Sequence, residues 1–411
     1  MKTKTATSFQ ARGNLSMNNN NNATVGIDVG TYYIKVIVAE KAKVKKKYFP
    51  KILATGVAES RGMRHGYIVN VAETQKSIKE AVRQAEKTSG LNITKAFISI
   101  SGIGLQGVTS VGKTVVSSAD IEVKENDMKA AQEASETQIP SSASFNRKVI
   151  HAIPLEYKLD GQDVLGNPLG LKGNSLEVKT FFITCLEHHL NDLVEAVESI
   201  GIEVIDTIAA PIASSFVSLT KPQKIAGCVL ADIGAETVSI VVFENNIPIS
   251  LEVFPIGGTD ITNDIALGLK IPLEEAEKIK LGSVSNAPVS EQKLEDIISA
   301  RLTDIFEIII SHLKNINRHE LLPAGIIITG GSSGIFAIEE KAKDKLNLPS
   351  SVTSLSSIGR RDSPLSDSRW SVAYGLCIIG LNEEESKNLG LTSIFQNTRR
   401  GLISWIKQFL P

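Results

Sequence analysis

The 411-residue chain is 42% apolar and 22% charged, with a formal net charge of −1. That length accommodates two domains with separate cores, and so small a net charge supplies no overall field for nucleic acid. No apolar run reaches the roughly 18 residues of a membrane-spanning helix, and Cys185, Cys228, Cys377 and the six His residues show no metal-ligand spacing, which points to buried reduced thiols.

Residues 1–22 are rich in Lys, Thr, Ser and Asn and offer little to bury, the pattern of a disordered arm. The arm is basic and free of acid, as transit peptides are, but it lacks the apolar stretch of a secretory signal. Residues 25–40, VGIDVGTYYIKVIVAE, read as two strands around a tight turn at Asp28-Val29-Gly30-Thr31. Such a turn offers backbone N–H groups and a hydroxyl to an anion and a carboxylate to its metal, although D-x-G turns are common and one alone says little. Residues 41–47, KAKVKKK, read as a solvated turn, and 52–58 as the next strand. Asn70 precedes a helix over 71–88, with Glu73 at its third position and Gly90 as its stop. Residues 95–101 are a further strand.

A segment with its own pattern follows. Strand 107–118, an acidic helix over 119–139 opening near Asp120, strands 147–158 and 176–186 around a Gly/Pro/Asn loop, and helix 187–200 make a small inserted α+β unit. It is either a solvated decoration or, given its surface, an interaction module. Strand 202–207 and a helix from Pro211 close the first half.

The second half opens on residues 230–244, LADIGAETVSIVVFE. One constant offset places Asp28 on Asp232, Gly30 on Gly234, Ile34 on Val238, Val36 on Ile240, Val38 on Val242 and Glu40 on Glu244, which signals an internal duplication. Strand 247–255, a Gly257-Gly258 turn, helices 259–270 and 273–280, and a long amphipathic helix over 291–317 come next. Residues 325–334, GIIITGGSSG, read as a buried strand, a Gly-Gly turn and a helix that begins near Ser332. A helix over 369–380 ends the core. Beyond a polar stretch at 383–397, residues 399–410 read RRGLISWIKQFL. At 100° per residue, Leu402, Ile403, Trp405, Ile406, Phe409 and Leu410 share one face, opposite Arg400, Ser404, Lys407 and Gln408. A terminal helix of that composition suits a bilayer interface or a dock on its own domain.

The two D-x-G hairpins and the Gly-Gly turn resemble the phosphate-1, phosphate-2 and adenosine motifs of the actin, sugar-kinase and heat-shock-70 ATPase superfamily. GNPLGLKGNSLEV at 166–178, PIGGTDITNDIALGL at 255–269 and AEKIK at 276–280 resemble, within that superfamily, the bacterial cell-division FtsA family. The resemblance covers residues 23 to the end. It implies an actin-like (ribonuclease H-like) two-domain α/β fold with an inserted α+β subdomain. The implied division is a first subdomain at 23–106 and 202–224, the insert at 107–201, a second subdomain at 225–262 and 325–382, its companion at 263–324, a linker at 383–398 and a membrane-targeting helix at 399–411.

ATP and Mg²⁺ are the implied ligands. Asp28 and Asp232 would hold Mg²⁺ through water. Gly30, Thr31, Gly234, Thr237 and Gly258 would line the phosphates. Glu277 and Lys280 match the family's ribose contacts, and Gly330, Gly331 and Ser332 its adenosine turn. Lys35 matches a phosphate-contacting lysine, or is an exposed strand residue. Two departures bear on chemistry. Ala235 and Glu236 replace glycines of the second phosphate turn, and Glu236 would repel phosphates unless it turns outward. Residues 208–216 offer no Gln, Glu or Asp to orient a water, so hydrolysis is expected to be slow or absent. The implied partners are the FtsZ C-terminal peptide, further copies in a head-to-tail filament, later division proteins and an anionic membrane surface, at the cytoplasmic side of the division septum. Arg301 matches the arginine of the peptide-binding helix, or makes a surface pair with Asp304. A PilM-like pilus scaffold and, more distantly, a sugar kinase share the fold.

Overall fold

The computed structural model describes residues 23–44, 47–282, 290–353 and 367–388. The expected arm at 1–22 and the amphipathic helix at 399–411 lie outside the described residues.

Strands β1 (Ala23–Val29) and β2 (Tyr33–Val44) pair antiparallel, with Asp28 opposite Lys35, and β3 (Lys47–Glu59) pairs antiparallel with β2. The lysine-rich stretch expected as a turn is therefore mostly strand, because Lys41–Val44 pair with Lys47–Pro50. Pairing uses backbone groups, so a run of lysines does not prevent it. A two-residue pair, β4 (Met63–Arg64) and β5 (Tyr67–Ile68), turns at His65-Gly66. Helix α1 (Val71–Ser89) starts where Asn70 accepts the N–H of Glu73 at 3.2 Å and stops at Gly90, φ +71°. Its Ile78, Ala81, Val82 and Ala85 recur at three and four residues and bury against the sheet. Gly56 permits this approach, since a Cβ there would stand 1.9 Å from the Ala81 carbonyl oxygen. Strand β6 (Lys95–Ile100) runs parallel to β1.

The insert contains β7 (Gln106–Val115), α2 (Glu125–Thr137), the single turn α3 (Ser141–Ser144), β8 (Arg147–Leu159), β9 (Gln162–Val164) and β10 (Ser175–Leu186). Its sheet is antiparallel in the order β7-β10-β8-β9. Helix α2 begins five residues later than the acidic pattern suggested. Ile121 is left-handed at φ +53°, and the Asp127 carboxylate accepts the N–H groups of Ser117 and Lys124, both at 2.9 Å, which fixes the start at Glu125. Helix α4 (Glu187–Glu198) returns the chain to β11 (Glu203–Ala209), parallel to β6, followed by α5 (Ala210–Ser218) and α6 (Lys221–Ala226).

The second half comprises β12 (Cys228–Ile233), β13 (Val238–Glu244), β14 (Ile247–Phe254), α7 (Gly258–Leu269), α8 (Leu273–Lys280), α9 (Glu291–Asn315), β15 (Ile326–Thr329), α10 (Ile338–Leu346), β16 (Ser350–Val352) and α11 (Ser371–Asn388). The sheet orders β11-β6-β1-β2-β3 and β14-β13-β12-β15-β16 are the same pattern. In each, the first strand pairs antiparallel with the second and parallel with the fourth. The duplication seen as a sequence offset is thus a duplication of topology. Helix α10 starts at Ile338, not near Ser332. The Ser332 N–H donates to the Ile233 carbonyl at 3.0 Å and its hydroxyl to the Gly234 carbonyl at 3.1 Å, which holds it in the turn. Helix α11 continues through residues 383–388, six residues into the expected linker. It packs back on the first half, where Val372, Leu376 and Ile379 join the first core.

Candidate functional site

The turns after β1 and β12 face one another across a cleft between the halves. Asp28, Gly30, Thr31, Lys35, Asp232, Gly234, Thr237, Glu277, Lys280, Gly330, Gly331 and Ser332 all line it. Those twelve come from four separated stretches of sequence. Gly258 stands just behind the wall. Its carbonyl accepts the Lys280 ammonium at 3.0 Å, and a Cβ there would lie 2.1 Å from the Ser332 hydroxyl. A hollow of about 540 Å³ beside α4 and β11 is larger, but it has no glycine turn and none of the residues that the motifs indicate.

Lys35 is not an exposed strand lysine. Its ammonium sits 2.7 Å from Asp28 and donates to the Arg369 carbonyl at 2.8 Å. Register explains the pair, because Asp28 and Lys35 are direct cross-strand partners. Ser99 donates to the other Asp28 oxygen at 2.8 Å. Asp232 has no such support. Its cross-strand partner is Ser239, and no side chain among the described residues donates to it. Loss of water raises its pKa from 3.8 to about 6, with Lys35 opposing and the Asp28 charge adding to the rise. Gly330, at φ +95°, keeps the neighbouring backbone clear, since a Cβ there would stand 2.3 Å from an Asp232 oxygen. An unpaired carboxylate with a raised pKa at an anion-lined turn fits a hydrated divalent cation. Asp28 fits less well, since its oxygens are already engaged.

The turns knit together through the backbone. Gly258 N–H donates to the Gly234 carbonyl at 2.9 Å and Thr259 N–H to that of Ala235 at 2.7 Å. Lys280 is almost wholly buried and bonds Glu277 at 2.7 Å and Thr262 at 2.9 Å. Glu236 does turn away from the cleft centre, and its carboxylate accepts the His65 N–H at 2.6 Å. Ala210, at the start of α5, is the residue from 208–216 that faces the cleft. Arg301 is remote from the cleft. It forms a two-pronged pair with Asp264 of α7, at 2.6 and 3.0 Å, and lies 3.4 Å from Asp304.

Tyr32, Ser101, Ser239, Thr259, Leu281 and Arg369 also line the cleft and were not anticipated. Ser239 was available from the offset that equates it with Lys35, and Thr259 from its place after the glycine pair. The other four carry no signal in the sequence.

Residues 229–375 match the family model described as cell division protein FtsA, and residues 102–184 match an SHS2 domain inserted in FtsA. The chain is 30% identical over 388 residues to the cell division protein FtsA of Pseudomonas aeruginosa, covering 88% of this chain and 89% of that one. It is 32% identical over 365 residues to that of Bacillus subtilis, covering 84% and 81%. The fold is similar to a solved PilM–PilN type IV pilus biogenesis complex, at a TM-score of 0.65 and 17% identity over 87% of this chain and 98% of that one. It is also similar to MreB5 of Spiroplasma citri bound to ADP, at a TM-score of 0.52 and 12% identity over 89% and 98%. The architecture is actin-like, with the α+β unit as an inserted SHS2 domain. The sequence matches go further than the shared fold, and the chain belongs to the FtsA family of cell division proteins.

Proposed function

We propose that the chain is a membrane-peripheral, ATP-binding scaffold that polymerises and ties the FtsZ division filament to the cytoplasmic face of the membrane. The observation that carries this is the convergence of twelve residues from the three nucleotide-type motifs and α8 on one cleft, in a chain of this family. Thr31, Thr237 and the glycine turns would take the phosphates, Glu277 and Lys280 the ribose, and Gly330–Ser332 the base. Mg²⁺, held through water by Asp232 with Asp28 behind it, would neutralise the phosphates. Hydrolysis would be slow or absent, because residues 208–216 offer no Gln, Glu or Asp to orient a water, and Ala210 is the one of them that lines the cleft. The subdomain division given by the resemblance belongs to the same reading, with α9 in the peptide-binding part and the insert at the filament contact and toward later division proteins. The exception is α11, which belongs with the first half, on which it packs, and extends to Asn388.

Its test is capture of the full chain on an immobilised FtsZ C-terminal peptide. Capture is expected, and Arg301→Ala should reduce it at least fivefold while shifting stability by less than about 1 kcal/mol, since the Asp264 pair is partly solvated. No capture would remove FtsZ binding from this reading. For the terminal helix, Trp405→Glu should release the chain from anionic vesicles in co-sedimentation, because single tails bind weakly and filaments by avidity. A variant that still pellets removes the membrane anchor.

A further inference from the structure

The turn of the β4–β5 pair bridges the two halves beside the cleft. The Glu236 carboxylate, from the second half, accepts the His65 N–H at 2.6 Å, and the Glu236 carbonyl lies 3.2 Å from His65 Nδ1. The next amide, that of Gly66, donates to the Thr31 hydroxyl at 3.0 Å. Two consecutive N–H groups therefore join the second phosphate-type turn to the first. Gly66 is required here. It is left-handed at φ +82°, and a Cβ would stand 2.4 Å from Gly102 Cα.

We infer that Glu236 is a positioning residue, which acts through the His65-Gly66 turn to aim the Thr31 hydroxyl at a phosphate in the cleft. The inference rests on the nucleotide reading of the cleft. A threonine hydroxyl has one proton and two acceptor lone pairs. With the Gly66 N–H donating to one lone pair, the hydroxyl proton is excluded from that side and restricted to the remaining positions of a residue that lines the cleft, where no described acceptor takes it. The free hydroxyl would otherwise rotate among several orientations. This also accounts for a carboxylate in place of glycine at 236. Its charge is spent on an amide of the opposite half, so it does not face the phosphates. Ligand binding and closure of the halves are then linked, because the same turn contacts both.

Amide exchange on the full, ligand-free chain tests the latch without nucleotide. Glu236→Ala should speed exchange at His65 and Gly66 about tenfold, and Glu236→Gln, which keeps an acceptor oxygen, should restore most of the protection. Unchanged exchange in Glu236→Ala overturns the latch. A fluorescent ATP analogue with Mg²⁺ then tests the aiming. Glu236→Ala and Thr31→Val should each weaken binding about tenfold, Thr31→Ser should retain most of the affinity, and the double variant should be no worse than Thr31→Val alone. Additive losses in the double variant overturn action through Thr31. If the unsubstituted chain binds no analogue, the nucleotide reading and the aiming fall together, and exchange still decides the latch. Circular dichroism separates a local effect from unfolding, and Glu236→Gln keeps the test open should Glu236→Ala not fold.

Discussion

The turns after β1 and β12 stand on sheets of identical topology, and their aspartates occupy equivalent registers. Their electrostatics are opposite. Asp28 faces Lys35 and is neutralised within its own hairpin, while Asp232 faces Ser239 and carries a pKa raised to about 6. A duplicated backbone has been given two different tasks. One half supplies its own cation, and the other presents a carboxylate with none in its own hairpin. The difference teaches that symmetry of the fold does not extend to symmetry of the site, and that one cross-strand position per half sets it.

The largest effect should come from breaking the satisfied turn. Lys35→Met leaves Asp28 buried without its counter-ion, which typically costs about 3–5 kcal/mol. Denaturant melts at neutral pH should show that loss, and Asp28→Asn with Lys35→Met should recover most of it. If Lys35→Met alone is neutral, the pair does not matter to the fold.

The unsatisfied turn should respond in the opposite direction. The folded pKa of Asp232 lies above the unfolded one, so between about pH 4 and 6 the folded state holds the extra proton and stability falls as pH rises. A rise from 3.8 to about 6 corresponds to about 3 kcal/mol, and water at the cleft mouth reduces this to roughly 1–2. Asp232→Asn should therefore stabilise the ligand-free chain by about that amount at pH 7.5, lose the advantage near pH 4, and weaken binding of Mg·ATP. Melts at the two pH values and calorimetry check it. Equal stability at pH 7.5 would mean that Asp232 carries no strain.

The smallest expected change would make the two halves alike. Ser239→Lys places an ammonium opposite Asp232, as Lys35 stands opposite Asp28. It should stabilise the ligand-free chain by less than about 1 kcal/mol, because a long side chain must also be ordered. The Mg²⁺ dependence of nucleotide affinity should largely disappear. Calorimetry with and without Mg²⁺ measures this, and an unchanged dependence would place the metal elsewhere.

Local signals were readable wherever one stretch of chain decides its own structure. Helix α1 runs between its Asn70 and Gly90 caps, and α8 spans Leu273–Lys280 as its pattern indicates. Both strands of each D-x-G hairpin follow from β-branched runs and glycine turns. Contacts over long sequence distances were not readable. Ser332 is taken from its helix by carbonyls of Ile233 and Gly234, about a hundred residues earlier. The His65–Glu236 contact spans 171 positions and depends on how the halves meet. Arg301 illustrates both cases, since its neighbour Asp304 is visible one helical turn away, while the stronger partner, Asp264, lies on another helix.

Helix α11 completes a half whose strands were made long before it. Gly26 of β1 accepts it so closely that a Cβ would stand 2.4 Å from the Ala373 carbonyl oxygen, and Gly375 packs likewise against Ala213. On a ribosome adding 5–20 residues per second, the interval between β1 and α11 is roughly 20–70 s. Until then the part of the first sheet's apolar face over β1 and β2 lacks its helix, although α5 already packs on β6 and β11. The packing of the N-terminal half is thus complete only once α11, at the far end of the second half, has been made. A message broken between them would yield a product with that part of the face bare and open to degradation.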